Sequence, residues 1–174
     1  ARSVRGHALS VVLLGNYLRD VHQGDVSAWS SMHLLEQDAA EGGHASRVMG
    51  SYEVWFAAGA EVDILRCLSL FDRPVSFDEQ ECLRSRPPIA GLTDHICGGP
   101  PASYAQAVSR LCRAGLIEQA APGDGGALDA HPLVREYFGS RLESCEPDAA
   151  KRGNDRLSRF LAGSVLDEMP DGYE

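Results

Sequence analysis

The chain has 174 residues, room for one large domain or two small ones, and its 44% apolar content is enough for a core. With 25 acidic residues against 16 basic, its net charge of −9 repels polyanions and acidic lipid, which weighs against nucleic-acid and membrane partners. No run approaches the roughly 18 to 20 apolar residues of a membrane span. The start, "ARSVRGHALS", has neither a signal-peptide layout nor an initiator methionine, so a cytoplasmic piece of a longer protein is expected.

In chain order, residues 7–21 place Leu9, Val12, Leu13 and Tyr17 at helical spacing with Val11, Leu14 and Leu18 beside them. That predicts a central helix, wet on one narrow side and ended by Gly24. Residues 25–41 read as a polar connection with a short helix around 32–35, and Gly42-Gly43 marks a boundary. Helical spacing returns over 45–56, with Val48, Tyr52, Trp55 and Phe56, and over 60–71, with Val62, Leu65, Leu68 and Phe71. In "DRPVSFDEQECL" a proline break precedes Ser76, and Glu79 three residues on completes a capping-box signature that opens a short helix. Arg86-Pro87-Pro88 stops that helix, and 88–97 is expected to add a further turn or two.

Tyr104, Val108, Leu111 and Cys112 form one face of a helix over 102–114, and Gly115 sits where a left-handed cap belongs. "LIEQ" then reads as a strand, "PGDGG" as a turn and "ALDA" as the return strand. Pro132 suits the first position of a helix over 131–143, because a residue there needs no N–H, and this puts His131 at the N-cap. Four free backbone N–H groups and the positive end of the helix dipole are then expected beside an imidazole, a grip for an anion such as phosphate. Leu133, Val134, Tyr137, Phe138 and Leu142 are expected inside, with Arg135, Glu136 and Arg141 outside. A last helix carries Leu157, Phe160, Leu161 and Val165.

The expected fold is mainly α. A helical-bundle subdomain occupies 1–43, a winged-helix subdomain with a short two-stranded β-hairpin occupies 44–145, and 146–174 form a C-terminal helix leading towards a repeat region.

These elements in this order resemble the helical and winged-helix subdomains that follow the nucleotide-binding core in NB-ARC-type proteins of the STAND class of signal-transduction NTPases. "GHALSVVLLGNYL" is similar to the family's G-L-P-L-A-L helix start, with Gly6, His7, Ala8, Leu9 and Ser10 aligned to it and Ala8 standing at the family's proline. "LDAHPLVREYF" is similar to its M-H-D motif, with His131 as the histidine, Ala130 at the Met and Pro132 at the Asp. The resemblance implies that His131 contacts the β-phosphate of ADP and holds a closed state. It also places Gly6, His7, Ala8 and Leu9 near nucleotide, and leaves Asp129 as the stand-in for the missing aspartate. The implied partners are an upstream nucleotide-binding domain and a downstream repeat domain of the same chain, with homo-oligomerisation on activation. ADP or ATP belongs to the intact, bacterial, defence or signalling parent, an ATPase switch. The isolated fragment is expected to hold no cofactor and no metal.

No other pattern displaces this reading. Lys151 is the one lysine and lies in no G-x-x-x-x-G-K-[ST] phosphate loop. Cysteines at 67, 82, 97, 112 and 145 include no C-x-x-C pair and are expected as reduced thiols, with Cys67 and Cys112 on apolar helix faces. His22, His33, His44 and His95 show no metal-ligand spacing. Trp29 and Trp55 are expected to pack, and His7 to cap. Asp78, Glu79 and Glu81 are expected as a solvated helix start, and no residue is assigned a catalytic role. Two alternatives stay open: a winged-helix DNA-binding regulator, whose reading helix would offer only Arg110 and Arg113, and a protein-interaction adaptor without nucleotide.

Overall fold

A computed structural model of the chain describes residues 2–25, 43–120 and 126–167. The helix expected around 32–35, Trp29, His33 and most of "PGDGG" lie outside them. The described elements are α1 (Arg2–His22), α2 (Gly43–Phe56), α3 (Ala60–Leu68), α4 (Phe77–Arg84), α5 (Pro101–Ala114), β1 (Ile117–Gln119), β2 (Leu128–Ala130), α6 (Pro132–Cys145) and α7 (Pro147–Asp167). Three helices followed by an antiparallel hairpin, with Ile117 opposite Ala130 and Gln119 opposite Leu128, make the winged-helix arrangement.

One strand-like residue was hidden in the expected proline break. Val75 exchanges two backbone hydrogen bonds with Leu128, at 2.8 and 3.0 Å, and so lends the hairpin a third, one-residue edge. It sits between Pro74, which donates no N–H, and Ser76, which already caps α4, so no longer strand fits there.

The C-terminal end of α5 is sealed from within and without. Gly115, at φ +75°, lets its own N–H reach Cys112 and that of Leu116 reach Leu111, the paired bonds of a left-handed helix stop. From α1, Asn16 donates to the Ala114 carbonyl at 3.0 Å and Arg19 to that of Arg113 at 3.1 Å. The hydroxyl of Tyr52 on α2 donates to the Leu13 carbonyl at 3.1 Å, and burial pushes its ionisation well above the usual phenol range. The buried core is continuous from Leu13 and Tyr17 of α1, through Tyr52, Leu111 and Phe138, to Leu157 of α7.

Three segments depart from expectation. α1 begins at Arg2, earlier than residue 7. α3 stops at Leu68, because the carbonyls of Leu68 and Phe71 turn towards a guanidinium from α6. In place of extra helix, 88–97 folds as successive turns: Gly91 takes φ +83°, and the Thr93 hydroxyl and Asp94 carboxylate accept from the N–H groups of Ile89 and Gly91.

Candidate functional site around His131

The turn from β2 into α6 has the cap that the sequence suggests. His131 is the N-cap with Pro132 at the first helical position, and its imidazole Nδ1 accepts from the Leu133 N–H at 3.2 Å. Of the first four N–H positions of this helix, His131 to Val134, three are not free. Pro132 has none, Leu133 is taken by the imidazole, and Val134 and Arg135 donate to the His131 carbonyl at 2.8 and 3.1 Å. A further donor is on the ring itself. With Nδ1 as acceptor, neutral imidazole carries its proton on Nε2, which has no partner among the described residues. The site thus offers one directed donor on a half-buried ring at the positive end of a helix.

Arg135, expected outside, is buried at 8% exposure. Its Nε donates to Ala130 O at 2.9 Å, and its terminal nitrogens donate to Leu68 O at 3.1 Å, Phe71 O at 2.6 Å and the Asp129 carboxylate at 2.5 Å. One planar cation therefore ties α3, the turn after it, and both residues before His131. Asp129 also accepts from the Ala130 N–H at 2.8 Å, so the residue expected to replace the switch aspartate is committed to holding the turn. Spacing carried the signal: Arg135 precedes Phe138 and Leu142 by three and seven residues, which puts it on the buried stripe.

The first motif does not form a helix start. Gly6, His7, Ala8 and Leu9 lie inside α1 rather than at its N-cap, so backbone N–H groups there are spent within the helix. Leu9 packs against the core and Ala8 is exposed.

Other titratable groups serve the fold. Glu79 is not solvated but 3% exposed: it closes the capping box with Ser76 and pairs with Arg73, which holds its carboxyl below the usual carboxylate range. Asp63 is buried and raised by desolvation, and it accepts from the His95 backbone N–H at 2.7 Å with the His95 ring 3.3 Å away. Glu53 of α2 accepts from Tyr137 of α6 at 3.0 Å, and burial pushes that phenol up to about 12. On α5, Arg110 lies 2.7 Å from Glu61 and against the rings of Trp55 and Phe56, so one of the two cations available to a DNA-reading helix is already engaged.

All five cysteines are free thiols, with Cys67 buried. Among the described residues no three His, Cys, Asp or Glu side chains converge as metal ligands, and no helix is long and apolar enough to cross a membrane. No protein-family model matches the chain, and no curated protein or solved structure is significantly similar to it.

Proposed function

We propose that this chain is the helical and winged-helix regulatory region of a STAND-class NTPase. It contacts ADP held on an upstream phosphate-binding core and couples nucleotide state to opening and oligomerisation in signalling or defence. The observation that carries this reading is the hydrogen bond from the Leu133 N–H to His131 Nδ1 at the β2–α6 turn. His131 caps its helix through Nδ1 and so presents Nε2–H outward from a turn that Arg135 holds rigid. An N–H of this kind, on a fixed backbone beside the positive end of α6, matches a phosphate oxygen. The chain itself takes no catalytic role. A ligand that binds one state through this contact shifts the closed–open balance by the difference in contact energy, about 1.5–3 kcal/mol for a hydrogen bond to a charged group.

The test compares His131→Ala and His131→Asn in the protein extended upstream through its nucleotide-binding core, reading ADP retained after purification and its release rate. Asparagine keeps an N-cap acceptor but places no donor where Nε2 lies. ADP held by the unsubstituted protein and released about tenfold faster by both variants supports the phosphate contact. Retention by His131→Asn equal to the unsubstituted protein reduces His131 to a cap, and absence of ADP throughout favours an adaptor.

A further inference from the structure

Two backbone hydrogen bonds, both to Leu128, hold the one-residue edge at Val75, and neither Pro74 nor Ser76 extends it. The side chain of Gln80 adds what this ladder lacks. It points inward from α4 and is 7% exposed. Its Nε2 donates to Val75 O at 2.9 Å and to Gly126 O at 3.3 Å, and its Oε1 accepts from the Tyr104 hydroxyl at 3.1 Å. Only one orientation of the amide fits, because turning it over would set its oxygen against two carbonyl oxygens. Val75 O also accepts from the Leu128 N–H at 3.0 Å, so both of its lone pairs are used. Tyr104 is fixed in turn by the Arg84 guanidinium, which lies 3.7 Å over its ring.

One buried amide thus joins α4, the Val75 edge, the approach to β2, and α5. Gly126 lies two residues before Leu128, and His131 three after it. β2 is therefore gripped on both sides by a buried polar side chain, Gln80 where the chain enters it and Arg135 where it leaves. So short a strand takes its register from such contacts, and a hydrogen bond donated from the turn that follows depends on angle as well as on distance.

We infer that Gln80 is a positioning residue for His131: by fixing β2 against Val75, it sets where the turn into α6 holds the imidazole. Without the amide, Val75 O, Gly126 O and the Tyr104 hydroxyl lose their shared partner and β2 shifts about the Arg135 grip. The bond from the Leu133 N–H to Nδ1, already 3.2 Å long, then weakens, and the ring no longer holds one orientation. The consequence for ADP rests on the phosphate contact proposed above, whereas the order of the ring does not.

The test reads the ring and the nucleotide separately. In the 174-residue chain labelled with nitrogen-15 at histidine, the His131 ring nitrogens, assigned by their loss in His131→Asn, should show the single Nε2–H form. Gln80→Leu should move both towards the average of the two tautomers with an unchanged circular dichroism spectrum. In the protein extended upstream it should speed ADP release about threefold. Ser76→Ala, which weakens the α4 cap but keeps the amide, should move neither. Tyr104→Phe removes one of the amide's three partners and should shift the ring nitrogens the same way by less, which serves as the measurement should Gln80→Leu not fold. Ring nitrogens that match the unsubstituted chain in the folded variants overturn the inference and leave Gln80 a structural amide. Shifted nitrogens with unchanged ADP release uphold the positioning role and refute the phosphate contact instead.

Discussion

Two helix starts in this chain solve the same problem in opposite ways. At α4, Ser76 accepts from the Glu79 N–H while the Glu79 carboxylate accepts from the Ser76 N–H and pairs with Arg73. Donors and acceptors there are closed on one another. At α6, a proline and an imidazole replace that box, the Leu133 and Val134 N–H groups are taken, and one ring N–H is left over, pointing away from the helix it caps. A box stabilises a helix and nothing else, whereas a histidine cap does so with a donor to spare.

Substitution can break this contrast, most severely at Arg135. Arg135→Met should cost about 3–5 kcal/mol in denaturant unfolding, since it strands the carbonyls of Leu68, Phe71 and Ala130 in the interior. A loss below about 1 kcal/mol would mean that those carbonyls find other donors. Ser76→Ala should cost about 1 kcal/mol and leave any nucleotide property of the extended protein unchanged. His131→Ala should cost about as much or less and, unlike Ser76→Ala, should speed ADP release. Equal release from both would erase the distinction.

The smallest effect is in pH. The Glu79 carboxyl is lowered in the fold by the Arg73 hydrogen bond, so its contribution is present above the unfolded value and is lost as pH falls through the folded one. Asp63 runs the other way. Raised by burial, it favours the fold at acidic pH and gives that advantage up as pH rises through its folded value. Glu79→Gln should therefore flatten the acid limb of a stability–pH curve, and Asp63→Asn should steepen it.

What could be read from the sequence, and what could not, divides along the range of the interactions. The capping box at Ser76, the left-handed Gly115, the hairpin strands and the His131–Pro132 cap are local, each set within a few residues, and they lie where the sequence places them. Local signals misled where a distant partner intervened. Arg135 reads as a surface charge until Leu68 and Phe71, more than sixty residues earlier, supply its acceptors. Val75, likewise, becomes strand-like only through Leu128. At the candidate site, the imidazole was legible from its neighbour Pro132. The loss of the Leu133 N–H to the cap was not, because that depended on which ring nitrogen turned inward.

The Arg135 clamp also sets how the molecule breathes. Since one guanidinium bonds to α3, the turn after it, β2 and Asp129, the first turn of α6 cannot fray by itself without exposing a cation and several carbonyls together. The amides of Val134 and Arg135 should exchange with solvent only in large, cooperative openings, while those of α4, whose cap is bonded within its own neighbourhood, exchange through small local ones.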